Sequence, residues 1–113
     1  MAHYLVQVAY TPEAWAALIK NPKDRTAVLK PVLEKLGGRF ETAYFAFGDY
    51  DIAGILELPG NIDAAAFSIA AAGGGGVKAI KTTPLMTMSE GIEALRKAAQ
   101  CGYVAPQSAA AGV

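Results

Sequence analysis

The chain has 113 residues, enough for one domain that buries about two-thirds of its unfolded surface. Ten Lys and Arg balance ten Asp and Glu, so the basic face needed to neutralise phosphates is missing and nucleic acid is not an expected partner. Hydrophobic residues reach 53% with only 18% charged; so much apolar surface in a small domain needs a cover, and a homo-oligomer is the economical one.

No apolar stretch approaches the ~20 residues that span a bilayer. The N-terminus runs straight into Tyr4-Leu5-Val6-Gln7-Val8 without a basic start or long apolar core, so neither signal peptide nor membrane partner is expected. The single cysteine, Cys101, excludes an intrachain disulfide and fits a reducing cytoplasm.

Residues 3–10 read as a first strand. Thr11-Pro12-Glu13 opens a short helix carrying Trp15, Leu18 and Ile19, with Trp15 expected in the core. Asn21-Pro22 repeats the cap-then-proline signal for a second helix, whose apolar face is Val28, Leu29, Val32, Leu33 and Leu36. Pro31 lies within it, and a kink or break is expected near Leu29-Lys30. The basic residues of 20–35 alternate with Asp24 and Glu34 and read as a solvated helix face. Gly37-Gly38 ends the helix in a left-handed cap.

Two strand-like runs follow, 40–47 and 52–58, around Gly48-Asp49-Tyr50-Asp51. Gly-Asp between β-rich runs signals a hairpin, since Gly permits the positive φ of a II′ turn. Asn61 is the expected cap of an alanine-rich helix over 62–72. The glycine run 73–76 precedes a strand and lacks the Lys-Ser/Thr of a P-loop, so it reads as a connector, not a phosphate cradle. A fourth strand over 77–83 meets Pro84, which suits an edge position. Ser89 is the expected cap of the last helix, and residues 101–113 form a loose tail after a domain over 1–100.

The order β-α-β-β-α-β-α is the ferredoxin-like split pattern with an extra C-terminal helix. It predicts an α+β fold with a four-stranded antiparallel sheet, strand order 4-1-3-2, and helices on one face. Together with Leu36-Gly37-Gly38-Arg39 and Ile55-Leu56-Glu57-Leu58-Pro59, the tetrad Gly48-Asp49-Tyr50-Asp51 resembles the GYD-domain proteins, small bacterial domains without an established general activity. The resemblance covers about residues 1–97; Pro31 and the 73–76 run depart from it. It implies sheet-to-sheet pairing as a dimeric α/β barrel, with further assembly in some members.

Alternation sorts the strands. Tyr4, Val6, Val8 and Tyr10, with Ile52, Gly54, Leu56 and Leu58, should meet the helices. His3, Leu5, Gln7 and Ala9, with Asp51, Ala53, Ile55 and Glu57, should form the open face. Antiparallel pairing makes His3 and Glu57 neighbours and brings Gln7 near Asp51 or Ala53. With a two-residue Gly48-Asp49 turn, Phe45 and Phe47 join the core and Tyr44 joins the open face; a longer loop reverses this.

The ligand-binding candidates are therefore His3, Gln7, Tyr44, Asp51 and Glu57. A histidine–carboxylate pair suits proton transfer, yet a lone histidine near a terminus is more often simply solvated. Asp49, Tyr50 and Asp51 also serve the turn itself, and Glu57 facing a partner would need a counter-group or ligand. No Cys/His cluster builds a metal site, no Ser-His-Asp spacing appears, and Cys101 lacks the positive neighbours of a reactive thiol. The first expectation is a non-enzymatic homo-oligomeric module binding a small molecule or partner between sheet and subunit. A small oxygenase or isomerase of the dimeric α/β-barrel type, cofactor-independent or haem-dependent and using His3, Glu57 or Tyr44, is the alternative. A structural assembly subunit is the third, and no cofactor is specified.

Overall fold

A computed structural model describes residues 1–106. Strand β1 (Ala2–Tyr10) leads into helices α1 (Pro12–Lys20) and α2 (Arg25–Lys35). The hairpin β2 (Arg39–Phe45) and β3 (Ile52–Leu58) follows, then α3 (Asn61–Gly73), β4 (Val77–Leu85) and α4 (Met88–Gln100). The sheet is open and antiparallel, in the order β2-β3-β1-β4. The fold is ferredoxin-like α+β, as the element order predicts, and Pro84 does lie in an edge strand.

One face of the sheet carries the core. Tyr4, Val6, Leu56 and Leu58 meet Leu33 of α2 and Ala64 and Phe67 of α3, the sets that alternation assigns to the helix side. The Tyr4 hydroxyl donates to Asn61 Oδ1 at 2.7 Å, tying α3 to the end of β1. Asn61 is thus the first residue of α3, and Gly60 replaces it as the cap.

Other helix ends also differ from expectation. Asn21 closes α1, donating its amide to the Ala17 carbonyl, and Asp24 caps α2 by accepting from the Thr26 amide at 2.9 Å. A carboxylate reaching a free amide outcompetes the Asn-Pro signal. Pro31 does not break α2. It and Ala27, whose carbonyl loses its helical donor, are both exposed, so solvent can reach the released acceptor. Thr87, not Ser89, caps α4: its hydroxyl accepts from the Glu90 amide while Glu90 Oε1 accepts from the Thr87 amide. Only Thr87 stands three residues before a Glu, as a capping box requires.

The expected cap at Gly37 is a Schellman motif: Gly37 donates to the Glu34 carbonyl and Gly38 to the Leu33 carbonyl, with Gly37 at φ 79°. Residues 101–106 are irregular and exposed. The remainder of the expected tail lies outside the described residues.

Candidate functional site

The hairpin loop is longer than a two-residue turn, yet the parity it sets is that of one. Phe45 pairs with Ile52 and Tyr44 with Ala53, the register that a Gly48-Asp49 turn would impose. Six residues intervene, with only the Ala46 amide to Asp51 carbonyl bond inside the loop. Tyr44 therefore stands on the open face, because adding an even number of residues does not flip side chains. Phe45 turns to the helix side, but only to its rim, where it stacks on Trp15 at 6.5 Å. Phe47 is 99% exposed and joins no core.

Further along β2 the parity flips. Pairing steps from Thr42↔Ile55 to Phe40↔Leu56, leaving Glu41 as the extra residue of a β-bulge. The bulge turns Phe40 against the core and sends Arg39 to the open face, opposite Glu57. One row across the sheet then reads Leu85, His3, Glu57 and Arg39.

A polar cluster results. His3 Nδ1 lies 3.0 Å from Glu41 Oε2 and His3 Nε2 lies 3.6 Å from Glu57 Oε1, so the imidazole sits between two carboxylates. Arg39 Nε contacts Glu57 Oε2 as an ion pair without hydrogen-bond alignment, leaving that oxygen buried and unbonded. Only 12% of the Glu57 side chain is exposed. The ring is hydrogen-bonded at Nδ1 to Glu41 and faces Glu57 across Nε2 at charge-contact distance, an arrangement that suits acid–base chemistry once Nε2 closes on its carboxylate. The carboxylates flank the ring instead of converging; among the described residues no group of His, Cys, Asp and Glu is arranged to hold a metal ion.

The other candidates separate from this cluster. Gln7 and Tyr44 share a row with Ala53 and Lys81. Four residues along β1 place Gln7 roughly 13 Å from His3, with the apolar Leu5–Ile55 row between them.

Asp51 leaves the open face altogether. Its Oδ2 accepts from the Tyr10 amide at 2.8 Å and from Trp15 Nε1 at 3.2 Å, while its own amide donates to the Val8 carbonyl at 2.8 Å. Trp15, half-buried instead of in the core, meets Tyr10 edge-to-face at 5.3 Å. The last residue of the tetrad is thus a structural clasp between the hairpin, β1 and α1. Tyr50 is half-buried, Asp49 exposed, and Gly48 supplies the positive φ of 148° that the loop needs.

Sequence reasoning missed two features. Arg39 and Glu41 enter the cluster only through the bulge, which no residue in 39–42 announces. On the helix side, a cavity of about 530 Å³ opens between β1, α1, α2 and α3. Val8, Tyr10 and Ile52 are among its walls, so the core is filled at the Tyr4–Leu58 end and hollow at the other.

An open antiparallel sheet with α1, α2 and α3 on one face and a histidine–carboxylate cluster on the other defines a ferredoxin-like α+β domain. The GYD domain family matches residues 4–95, and the chain belongs to that family. No curated protein matches the chain.

Proposed function

We propose that this GYD-domain protein is a cytoplasmic homo-oligomeric module whose open sheet face pairs with a second copy, enclosing a shared site for a small polar molecule. The observation that carries the reading is Glu57: a largely buried carboxylate with an unbonded oxygen on a face where Leu5, Ala53 and Ile55 are half-buried. Arg39 meets that oxygen as an ion pair without hydrogen-bond alignment, so the largely buried carboxylate keeps capacity for a further donor, and a ligand or partner group brought by a second sheet supplies it. Helix α4 adds support, since Met88, Ile92 and Leu95 form one side of it and remain exposed on the single chain.

Native mass spectrometry of freshly purified protein tests this, reporting stoichiometry and retained ligand together. A dimer or higher oligomer that dissociates on Ile55→Lys is expected. A monomer at high concentration refutes the proposal.

The flanking of His3 by Glu41 and Glu57 favours a second reading, an oxygenase or isomerase in which His3 relays a proton within the shared cavity. Turnover lost in His3→Ala, with the oligomer intact, distinguishes it from binding alone.

A further inference from the structure

The helix-side cavity lies on the opposite face from the proposed shared site and is chemically unlike it. Its volume, about 530 Å³, falls within the ~300–1,000 Å³ typical of small-molecule sites. The walls are apolar: Val8 and Ile52 from the sheet, Leu18 from α1, Leu29 from α2, and Phe67 from α3. Small residues make the room, because Ala70 and Ala71 of α3 and Gly74 just past its end line the cavity where bulky side chains would have closed the layer.

Cations stand at the rim. Lys23 and Arg25, in the α1–α2 connection and the first turn of α2, both border the cavity. Neither has a carboxylate within ion-pair distance among the described residues. Nearby acids are engaged elsewhere: Asp24 caps α2 through Thr26, and Asp51 holds the Tyr10 amide and Trp15. Arg25 also acts on the Tyr10 hydroxyl, which burial disfavours from ionising, so a neutral hydroxyl and a guanidinium sit together at the charged end. In a chain of zero net charge, two cations without a carboxylate partner over an apolar hollow form an amphipathic site.

We propose that this cavity binds an amphiphilic monoanion, an unbranched or aromatic apolar body ending in a carboxylate or similar anionic group, with the body between α1, α2 and α3 and the anion on Arg25 and Lys23. Arg25 supplies the planar fork that suits a carboxylate, and Lys23 adds a flexible second charge. The site is independent of the sheet-to-sheet pairing, since every wall belongs to one chain.

Decanoate and decan-1-ol, titrated against the full-length protein by calorimetry and methyl NMR, test the proposal. Saturable decanoate binding at one per chain is expected, with shifts at Val8, Leu29 and Val77. Lys23→Gln with Arg25→Gln lowers decanoate affinity at least tenfold and leaves decan-1-ol unchanged. Ala71→Phe, which fills the hollow, abolishes both; the milder Ala70→Leu serves if that variant does not fold. Absence of saturable decanoate binding overturns the proposal. Equal affinity in the double variant overturns the role of the cations, and loss of binding on Glu57→Gln with the cavity variants unaffected moves the site to the open face.

Discussion

Replacing Asp51 with alanine removes one carboxylate that serves three elements. Two donors lose their acceptor: the Tyr10 amide at 2.8 Å and the Trp15 indole at 3.2 Å. Tyr10 is only 8% exposed, so its amide keeps nearly the full cost of an unsatisfied buried donor, about 1–3 kcal/mol. Trp15 is half-buried and water can reach its ring nitrogen, so its share is smaller. The sum is about 2–3 kcal/mol, or a urea midpoint lower by roughly 1–2 M. Asp51→Asn retains an acceptor of the same shape without the charge and should lose about half as much. Trp15 is the only tryptophan, so its fluorescence reads both the unfolding curve and the native environment of the clasp. Emission shifted to the red in folded Asp51→Ala is expected. A stability change under about 0.5 kcal/mol, the ordinary range of a surface substitution, with native emission unaltered, would refute the clasp and return Asp51 to the list of ligand candidates.

Gly38→Ala should be among the most damaging single-methyl changes, because the added Cβ would stand 2.3 Å from the Glu57 carbonyl oxygen and 2.5 Å from Leu58 Cδ2. The backbone has to move, and a loss of about 1–3 kcal/mol in thermal unfolding is expected. Leu33→Ala empties the centre of the core, where Leu33 is 0% exposed, and should cost about 2–5 kcal/mol in urea unfolding. The Glu90 carboxyl is held below its usual value, chiefly by the Thr87 amide, and that of Asp24 by the Thr26 hydroxyl and amide. Depressed folded values mean that these caps contribute fully above the ordinary carboxylate range and are lost as pH falls through the lowered values. Carbon-detected NMR titration of both carboxyls should show the depression, and Thr87→Ala, which removes the hydroxyl but keeps the backbone amide, should lessen it at Glu90 and leave Asp24 unchanged.

Chain order, the proline at an edge strand and the glycine cap after α2 were all legible, because each depends on neighbours within a few residues. Alternation along β1 and β3 was equally legible, and it placed His3 beside Glu57 and sent Tyr4, Val6, Leu56 and Leu58 to the core. Helix starts were less so: Asp24 and Thr87 prevailed over Asn21 and Ser89 because side-chain geometry, not residue type alone, selects the cap.

What the amino-acid order determined by itself was periodicity, and with it the fold and the sorting of two strands into faces. Tertiary structure alone decided three things: the bulge at Glu41, which turns Arg39 and Glu41 to the polar face; the departure of Asp51 to Tyr10 and Trp15; and the hollow between α1 and α3. Each depends on residues far apart in the chain meeting at a set distance, and such meetings follow from how the layers pack. A period of two or of 3.6 residues carries no record of them.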